Sequence, residues 1–312
     1  MKKISIALIT VLMIMGSLTN LNTLANENST PMSKENINKI IKEFEDEYNQ
    51  NTLKNEDREE AKEKIEKMKR VKEKIKKEKD KFATGSESLE YKSLKMAAND
   101  DYSEYLNELR QGNYIEGILD LDEGLSETDI FDIGYTYANE ARDAAIDYSS
   151  NTMLRDAFRH FSWNYLSTVN VGKSEARTAT INHEWGIQMI DAIGNYYTNR
   201  YNEYIADGYS ESDAANKSFI DATLYIDDLK YFMIQFCEDD LSFFKGYFED
   251  SNIMDFTNNH YGREYGDDYP TIGYKFAFAN AKDEDVNQLI LDEDDVVSSS
   301  YELVWKNDWY TY

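Results

Sequence analysis

The 312-residue sequence contains a single cysteine, Cys237, and this scarcity excludes several kinds of site. One cysteine permits neither an intrachain disulfide nor a zinc site built from cysteine pairs. Cys237 ends the apolar run 231–237. We therefore expect a buried and unreactive thiol rather than a nucleophile.

Proline is almost as scarce, with only Pro31 and Pro270, so the long stretch between them contains no proline to break a helix. Polar residues that favour helix starts are frequent. The sequence predicts a mainly α fold, a multi-helix bundle of five to seven helices in residues 101–312 with a long charged helix before it. The predicted starts and ends are Ser126 to about Tyr148, Asn151 to about Val169, Lys173 or Ser174 to about Tyr204, and Ser210 to about Phe248. A β signal is present only at 295–304.

Basic residues are too few to balance the acidic ones, and the formal net charge is −26. The deficit is uneven, since residues 33–82 sum to +2 and residues 83–312 to −29. Such a field repels phosphate backbones, so we expect no nucleic-acid partner. It attracts metal ions and basic peptides, although solubility of a secreted protein explains the charge more simply.

The N-terminus has the pattern of a secretory signal peptide over residues 1–25. Lys2 and Lys3 precede the apolar run 4–18, and Thr23-Leu24-Ala25 places small residues before a cut at Asn26. No later run approaches the ~18 apolar residues of a membrane helix. We expect a secreted, extracellular protein with no stable membrane anchor after signal cleavage. Its partner would be a component of the cell envelope or another protein.

Residues 26–100 are predicted to be a charged helical segment and linker. Within it, 34–49 and 55–82 favour helices, and the second has apolar residues every three or four positions. Lys72 and Lys79 interrupt that apolar seam, so a solvated spacer or a helix docked along one side fits better than a coiled coil. The linker covers 83–100, and residues 101–312 form the α-helical domain with the polar site.

The chain has only three histidines, and each lies in a polar cluster. His160 follows Asp156 by one helical turn, so the two side chains can meet. His183 precedes Glu184 on the next helix. The break at 169–172 makes these helices antiparallel and places His160 and His183 at about the same height.

The third cluster runs from Asp255 to Arg263 and contains His260. Asp255 and Asn259 are one helical turn apart, and we expect Gly262 to end that helix. Consecutive asparagines are poor residues for a helix interior unless their amides have partners. We therefore expect specific hydrogen bonds from this pair.

Histidines with carboxylates are adequate ligands for Zn²⁺ or Mn²⁺. The predicted metal ligands are His160, His183, Asp255 and Asn259. The predicted catalytic residues are Asp156, His160, His183 and Glu184, with Arg159 or Arg263 holding an anionic substrate group. A zinc-protease helix motif, a glycine-rich phosphate loop and a lipase-type serine elbow are absent from the sequence.

The three clusters together resemble a widespread bacterial domain family of unknown function. Its members carry D-A-x-R-H-x-x-W-x-A, an H-E pair and D-x-x-N-N-x-x-G-R, matched here over about 145–280 by Asp156, Arg159, His160, Trp163, His183, Glu184, Asp255, Asn258, Asn259, Gly262 and Arg263. The resemblance implies a helical domain, often in exported proteins, and no established reaction. Tyr165 replaces the family's alanine, and Thr257 stands where relatives often have histidine.

Two functional hypotheses follow from the sequence. The first is a metal-dependent hydrolase that acts at the cell envelope or outside the cell. The second is a non-enzymatic secreted interaction protein, in which the polar clusters only hold the helices together.

Overall fold

The computed structural model describes residues 30–50, 55–83, 101–283 and 288–311, and these are mainly α-helical without a strand. This confirms the predicted fold class. The predicted signal peptide and nearly all of the predicted linker lie outside the described residues. None of the described helices combines the length and apolar character needed to cross a membrane.

The helices follow one another through short connections. They are α1 (Lys34–Gln50), α2 (Asn55–Ala83), α3 (Asp101–Leu109), α4 (Gly112–Asp122), α5 (Glu127–Phe131), α6 (Ala138–Tyr148), α7 (Thr152–Asn170), α8 (Lys173–Gln188), α9 (Ile190–Ala206), α10 (Glu211–Asp239), α11 (Leu241–Tyr247), α12 (Asp250–Asp268), α13 (Tyr274–Asp283) and α14 (Ser298–Asn307). A π-helical turn, Asp132–Tyr137, joins α5 to α6, and a 3₁₀ turn, Glu293–Asp295, precedes α14.

Side-chain caps set the predicted helix starts. Ser126, Asn151 and Ser210 have extended backbones, and the side chain of each accepts a hydrogen bond from the backbone N–H three residues later. Each cap satisfies an N–H that has no partner inside the helix. These three starts are confirmed.

Three details of the helix prediction are wrong. The helix expected from 173 to about 204 is interrupted at Met189, and the one expected from 210 to about 248 is interrupted at Asp240. Asp240 is extended, and its side chain accepts from the N–H of Ser242, so it starts a new helix. Residues 298–307 form α14 rather than a strand, because burial of Val304 against the core overrides local β propensity. The described part of 101–312 therefore has more than seven helices.

The helices α1 and α2 pack along one side of the remaining bundle. The Phe44 ring stacks on Phe232 with centroids 4.0 Å apart, and Ile65 and Met68 are buried in the same cluster. An ion pair of 3.1 Å joins Arg58 to the buried Asp221. Of the two predicted arrangements, this is the docked helix rather than the solvated spacer.

Close packing of α7 against α12 brings two of the polar clusters together. Gly262 lies inside α12, which continues to Asp268, so the expectation that it ends the helix is wrong. A Cβ atom at Gly262 would lie 2.3 Å from the backbone oxygen of Phe161 and 2.9 Å from the Cβ of Asn164. The glycine is therefore required by the short distance between the two helices.

Gly262→Ala is expected to destabilise the protein by about 1–3 kcal/mol, because backbone of α7 must move to admit the methyl group. The matched control is Gly194→Ala in α9, where the nearest atom to a Cβ is 3.5 Å away. There alanine should be neutral or stabilise by up to about 1 kcal/mol. Urea unfolding followed by circular dichroism measures both, and equal effects of the two changes would contradict the packing argument.

Candidate functional site

Three helices contribute the polar residues that the sequence singles out. The first helix is α7, with Asp156, Arg159 and His160; the others are α8, with His183 and Glu184, and α12, with Asp255, Asn259 and Arg263. The rings of His160 and His183 have centroids 6.3 Å apart, which confirms that they lie at the same height.

A group of three potential metal ligands lies where α7 meets α12. One ligand atom each from Asp156, His160 and Asp255 lies within 4.8 Å of the others, the single such group in the described ranges. Nε2 of His160 is 3.2 Å from Oδ1 of Asp255 and 4.0 Å from Oδ1 of Asp156. These three residues could hold a metal ion, with Asp156 as the most exposed ligand.

His183 and Asn259, both predicted ligands, lie outside this group. Asn259 places its Oδ1 3.1 Å from Nδ1 of His160, on the opposite edge of the ring from the ligand group. It therefore orients the histidine instead of binding beside it. His183 directs Nδ1 to Oε2 of Glu116, at 3.0 Å.

A chain of hydrogen bonds fixes which atom of His160 carries the proton. Arg263 has only donors, and its guanidinium donates to Oδ1 of Asn164 at 2.7 Å. The amide nitrogen of Asn164 must then face Oδ1 of Asn259, to which it donates. That oxygen accepts, so Nδ1 of His160 is the donor in their contact.

It follows that Nε2 of the neutral His160 presents a lone pair to the ligand group. Among the described residues, Oδ1 of Asp255 has no hydrogen-bond donor, whereas Nε2 accepts from the guanidinium of Arg159; both facing atoms are acceptors. Two acceptors 3.2 Å apart repel one another unless a proton or a cation lies between them. Two ligands of one ion, each at about 2.1 Å and separated by 90–109°, would lie roughly 3.0–3.4 Å apart.

The pKa shifts at this pair agree with the geometry. Burial, followed by the charges of Arg159 and His183, lowers the pKa of His160 well below its usual value. Burial, followed by the carboxylates of Glu184 and Asp156, raises the pKa of Asp255 well above its usual value. The neutral imidazole is the form that binds metal. The positive charge of Arg159 lowers the pKa of Asp255, but by less than burial and the two carboxylates raise it.

Arg159 covers the mouth of the ligand group. Its guanidinium lies 2.6 Å from Oδ1 of Asp156 and 2.7 Å from Nε2 of His160. The side chain is 41% exposed, so it can leave without disturbing the core. Arg159 thus supplies a positive charge from the protein at the position where a metal would supply its own.

His183 has the opposite electrostatic environment from His160. Burial lowers its pKa, but the charge of Glu116 and the hydrogen bond to it outweigh burial and raise the pKa to about 9. The indole of Trp163 packs edge-on against His183 at 5.2 Å, and its N–H donates to the carbonyl of Ile133 in the π-helical turn. Two adjacent histidines with separated pKa values are typical of an acid and base pair.

Glu184 lies on the inner side of His160. Its Oε1 is 3.9 Å from Nδ1 of His160 and 3.5 Å from the amide nitrogen of Asn259. Burial raises its pKa. A side chain 1% exposed behind the imidazole contributes negative potential and cannot contact a substrate directly.

The end of the third cluster at Arg263 serves structure more than recognition. Arg263 is 2% exposed, and its donors are used by Asn164, Thr180 and Asp308. The predicted role of Arg263 in holding a substrate group therefore has no support in the geometry. Asp308 also accepts from His260 at 2.9 Å.

The expected partners of the asparagine pair are present. Asn258 bonds both the carbonyl and the N–H of Ile290, which fixes the segment before α14 against α12. Sequence reasoning missed Glu116, Asn164 and Asp308 as parts of the site. A carboxylate within the apolar run 114–119 was a signal for Glu116, whereas nothing in the sequence signals Asp308.

No family model, no curated protein and no solved structure matches the chain. The resemblance to the bacterial domain family stays a prediction.

Asp308→Asn is expected to destabilise the protein by about 3–5 kcal/mol at neutral pH, because it leaves the buried Arg263 without a counter-charge. Burial raises the pKa of Asp308, but Arg263, His260 and Arg177 outweigh it and hold the pKa far below its usual value. The stabilisation is therefore complete above the unfolded pKa of about 3.9 and is lost as the pH falls through the folded pKa.

The measurement is the free energy of unfolding in urea from pH 7 to pH 3 for wild type and variant. Their difference should be constant at higher pH and shrink below about pH 4. Asp267→Asn, which removes a half-exposed ion pair with Lys173, is the control and should change stability by less than about 1 kcal/mol. A difference that stays constant to pH 3 would contradict the assignment.

Proposed function

We propose that the protein is a metal-dependent hydrolase whose ion is held by Asp156, His160 and Asp255. The observation that carries this proposal is the pair of facing acceptors, Nε2 of His160 and Oδ1 of Asp255, at the bite distance of two ligands of one ion. The hydrogen-bond chain from Arg263 aims the lone pair at that position. Arg159 donates to Nε2 of His160 from the exposed side, so of the two facing atoms Oδ1 of Asp255 is the one without a donor among the described residues, and an unpaired buried acceptor costs free energy.

The ligand set favours a hard or borderline divalent ion. Two carboxylates and one imidazole suit Mn²⁺ or Zn²⁺. Three protein ligands beside an exposed mouth leave coordination positions for water and substrate, as catalytic metal sites do. A bound ion supplies a water of lowered pKa and polarises a substrate oxygen.

The residues around the ion divide the remaining chemistry. His183 is protonated at neutral pH, and its ring lies beside that of the ligand His160. It is therefore the general acid that donates to the leaving group. Glu116 keeps that proton on His183. Asn259 holds His160 in the tautomer that can bind the ion, which is the usual role of the partner of a ligating histidine. Secretion and action outside the cell are part of the same proposal.

The purified chain, prepared without a histidine tag and without chelator, is expected to contain nearly one Mn²⁺ or Zn²⁺ per molecule by plasma mass spectrometry. His160→Gln and Asp255→Asn should lose the ion because each removes one ligand. Asp294→Asn is the control for non-specific binding to an acidic surface, since this residue is exposed and lies outside the ligand group. His183→Asn should keep the ion and lose ester hydrolysis.

Folded wild-type protein that takes up neither ion, even after addition of Mn²⁺ or Zn²⁺, would exclude the metal mechanism. Far-ultraviolet circular dichroism of each variant separates loss of a ligand from loss of the fold. The polar clusters would then be a structural lock, and the interaction-protein hypothesis would take precedence.

Arg159→Gln is expected to tighten metal binding roughly tenfold, because it removes a cation that competes for Asp156 and His160 and so relieves about 1.4 kcal/mol of repulsion. A competition titration against a chromogenic chelator measures this affinity. Arg110→Gln, an exposed arginine elsewhere, controls for the change in net charge. Weaker metal binding in Arg159→Gln would show that the arginine supports the site.

A further inference from the structure

A pocket of about 390 Å³ opens beside the ligand group, between α6 and α7. Arg142 of α6 and Arg155 and Arg159 of α7 line it, together with Asp156. Two larger clefts, of 720 and 620 Å³, lie on other faces of the protein and contain none of these residues. The small pocket is therefore the one that a substrate of the proposed site would fill.

The charge of this pocket opposes that of its surroundings. Residues 101–312 contain seven arginines, and three of them line this one pocket, although the chain has a net charge of −26. Grouping like charges costs free energy, and an acidic surface offers many places to separate them. Such a concentration is typical of a site that binds an anion.

The arginines are available to a ligand. Within the described ranges, no hydrogen bond or ion pair engages the guanidinium of Arg155. The ion pair that Arg142 makes within the described part of the chain is with its exposed neighbour Asp143, at 3.0 Å, and exposed pairs of this kind contribute little. Arg159 is held by Asp156 and His160, and an ion in the ligand group would repel it towards the pocket.

We propose that this pocket binds the phosphoryl group of a phosphate ester and presents it to the metal site. Guanidinium forks match the oxygens of a phosphate, and several of them balance a dianion better than a single carboxylate. Asp156 lines the pocket and belongs to the ligand group, so a phosphoryl group held there lies next to the ion. This substrate class rests on the hydrolase proposed above.

The reaction is hydrolysis of the ester bond. A water oxygen bonds to phosphorus as the P–O bond to the alcohol breaks, and the leaving oxygen takes the proton of His183. One proton of the water remains on the phosphate, and the other restores His183 by way of solvent. No oxidant or second substrate is required, and the arginines stabilise the charge of the phosphoryl oxygens.

The test is calorimetric titration of inorganic phosphate into the full chain, with the metal content of each sample measured in parallel. Arg142→Gln and Arg155→Gln should each weaken phosphate binding roughly tenfold, because each removes one charged donor. Arg110→Gln has the same change in net charge outside the pocket and should leave binding unchanged. In turnover assays, Arg155→Gln should raise the KM for p-nitrophenyl phosphate and not for p-nitrophenyl acetate.

The outcomes separate the two proposals. Metal-loaded protein whose phosphate binding is the same in Arg155→Gln and wild type would overturn the phosphate pocket and leave the hydrolase intact. Phosphate binding that requires Arg142 and Arg155 in a protein that takes up no metal would retain the anion pocket and overturn the hydrolase. Loss of phosphate binding in both pocket variants, with metal retained, supports both proposals.

Discussion

The Arg263 guanidinium determines the direction of the hydrogen bonds that run through Asn164 and Asn259 to Nδ1 of His160. It has donors only, so Asn164 must accept from it, Asn259 must accept from Asn164, and His160 must donate to Asn259. The oxygen and nitrogen of an asparagine amide can exchange places by a flip of about 180°, and an imidazole has two tautomers. A network that did not end at a group with donors only would therefore have several possible arrangements. The carboxylate of Asp308 pairs with the guanidinium and offsets the free-energy cost of burying its charge.

The same interaction links the site to the fold. Arg263 is on α12, Asn164 is on α7, and Asp308 follows α14, so one buried pair joins three separate parts of the chain. Gly262, next to Arg263, permits the close approach of α7 and α12. The distance between His160 and Asp255 depends on that approach, because the two residues come from the two helices.

The sequence predicts much of this arrangement through local rules. Caps such as Asn151 locate helix starts within a residue, and counting from the turn at 169–172 places His160 and His183 at one height. Helix rotation is not local, so the sequence could not show that Asn259 faces the inner edge of the imidazole while Asp156 faces the outer one. Asp308 is 45 residues from Arg263 along the chain, and its neighbours in the sequence are like those of an ordinary surface aspartate. The sequence therefore could not identify it as the partner of Arg263.

Buried carboxylates would give the proposed metal site its affinity for cations. Among the described residues, Oδ1 of Asp255 has no hydrogen-bond donor, and a folded core tolerates such a group only if other interactions offset its cost. In this protein α7, α8 and α12 pack around the carboxylate, and that packing offsets its cost. A bound cation would then offset the free-energy cost of burying this carboxylate.

Arg159 connects the two halves of the proposed mechanism. Its guanidinium contacts Asp156 and His160, and its side chain also lines the pocket that contains Arg142 and Arg155. An ion that takes its place at the ligands releases a positive charge into the pocket, so metal and phosphate should each strengthen the binding of the other. By linkage the two effects must be equal in magnitude, since both describe one coupling free energy between adjacent sites. Because Arg159 is half-exposed and belongs to both sites, its side chain alone can couple the pocket to the ion, without a large movement of the helices.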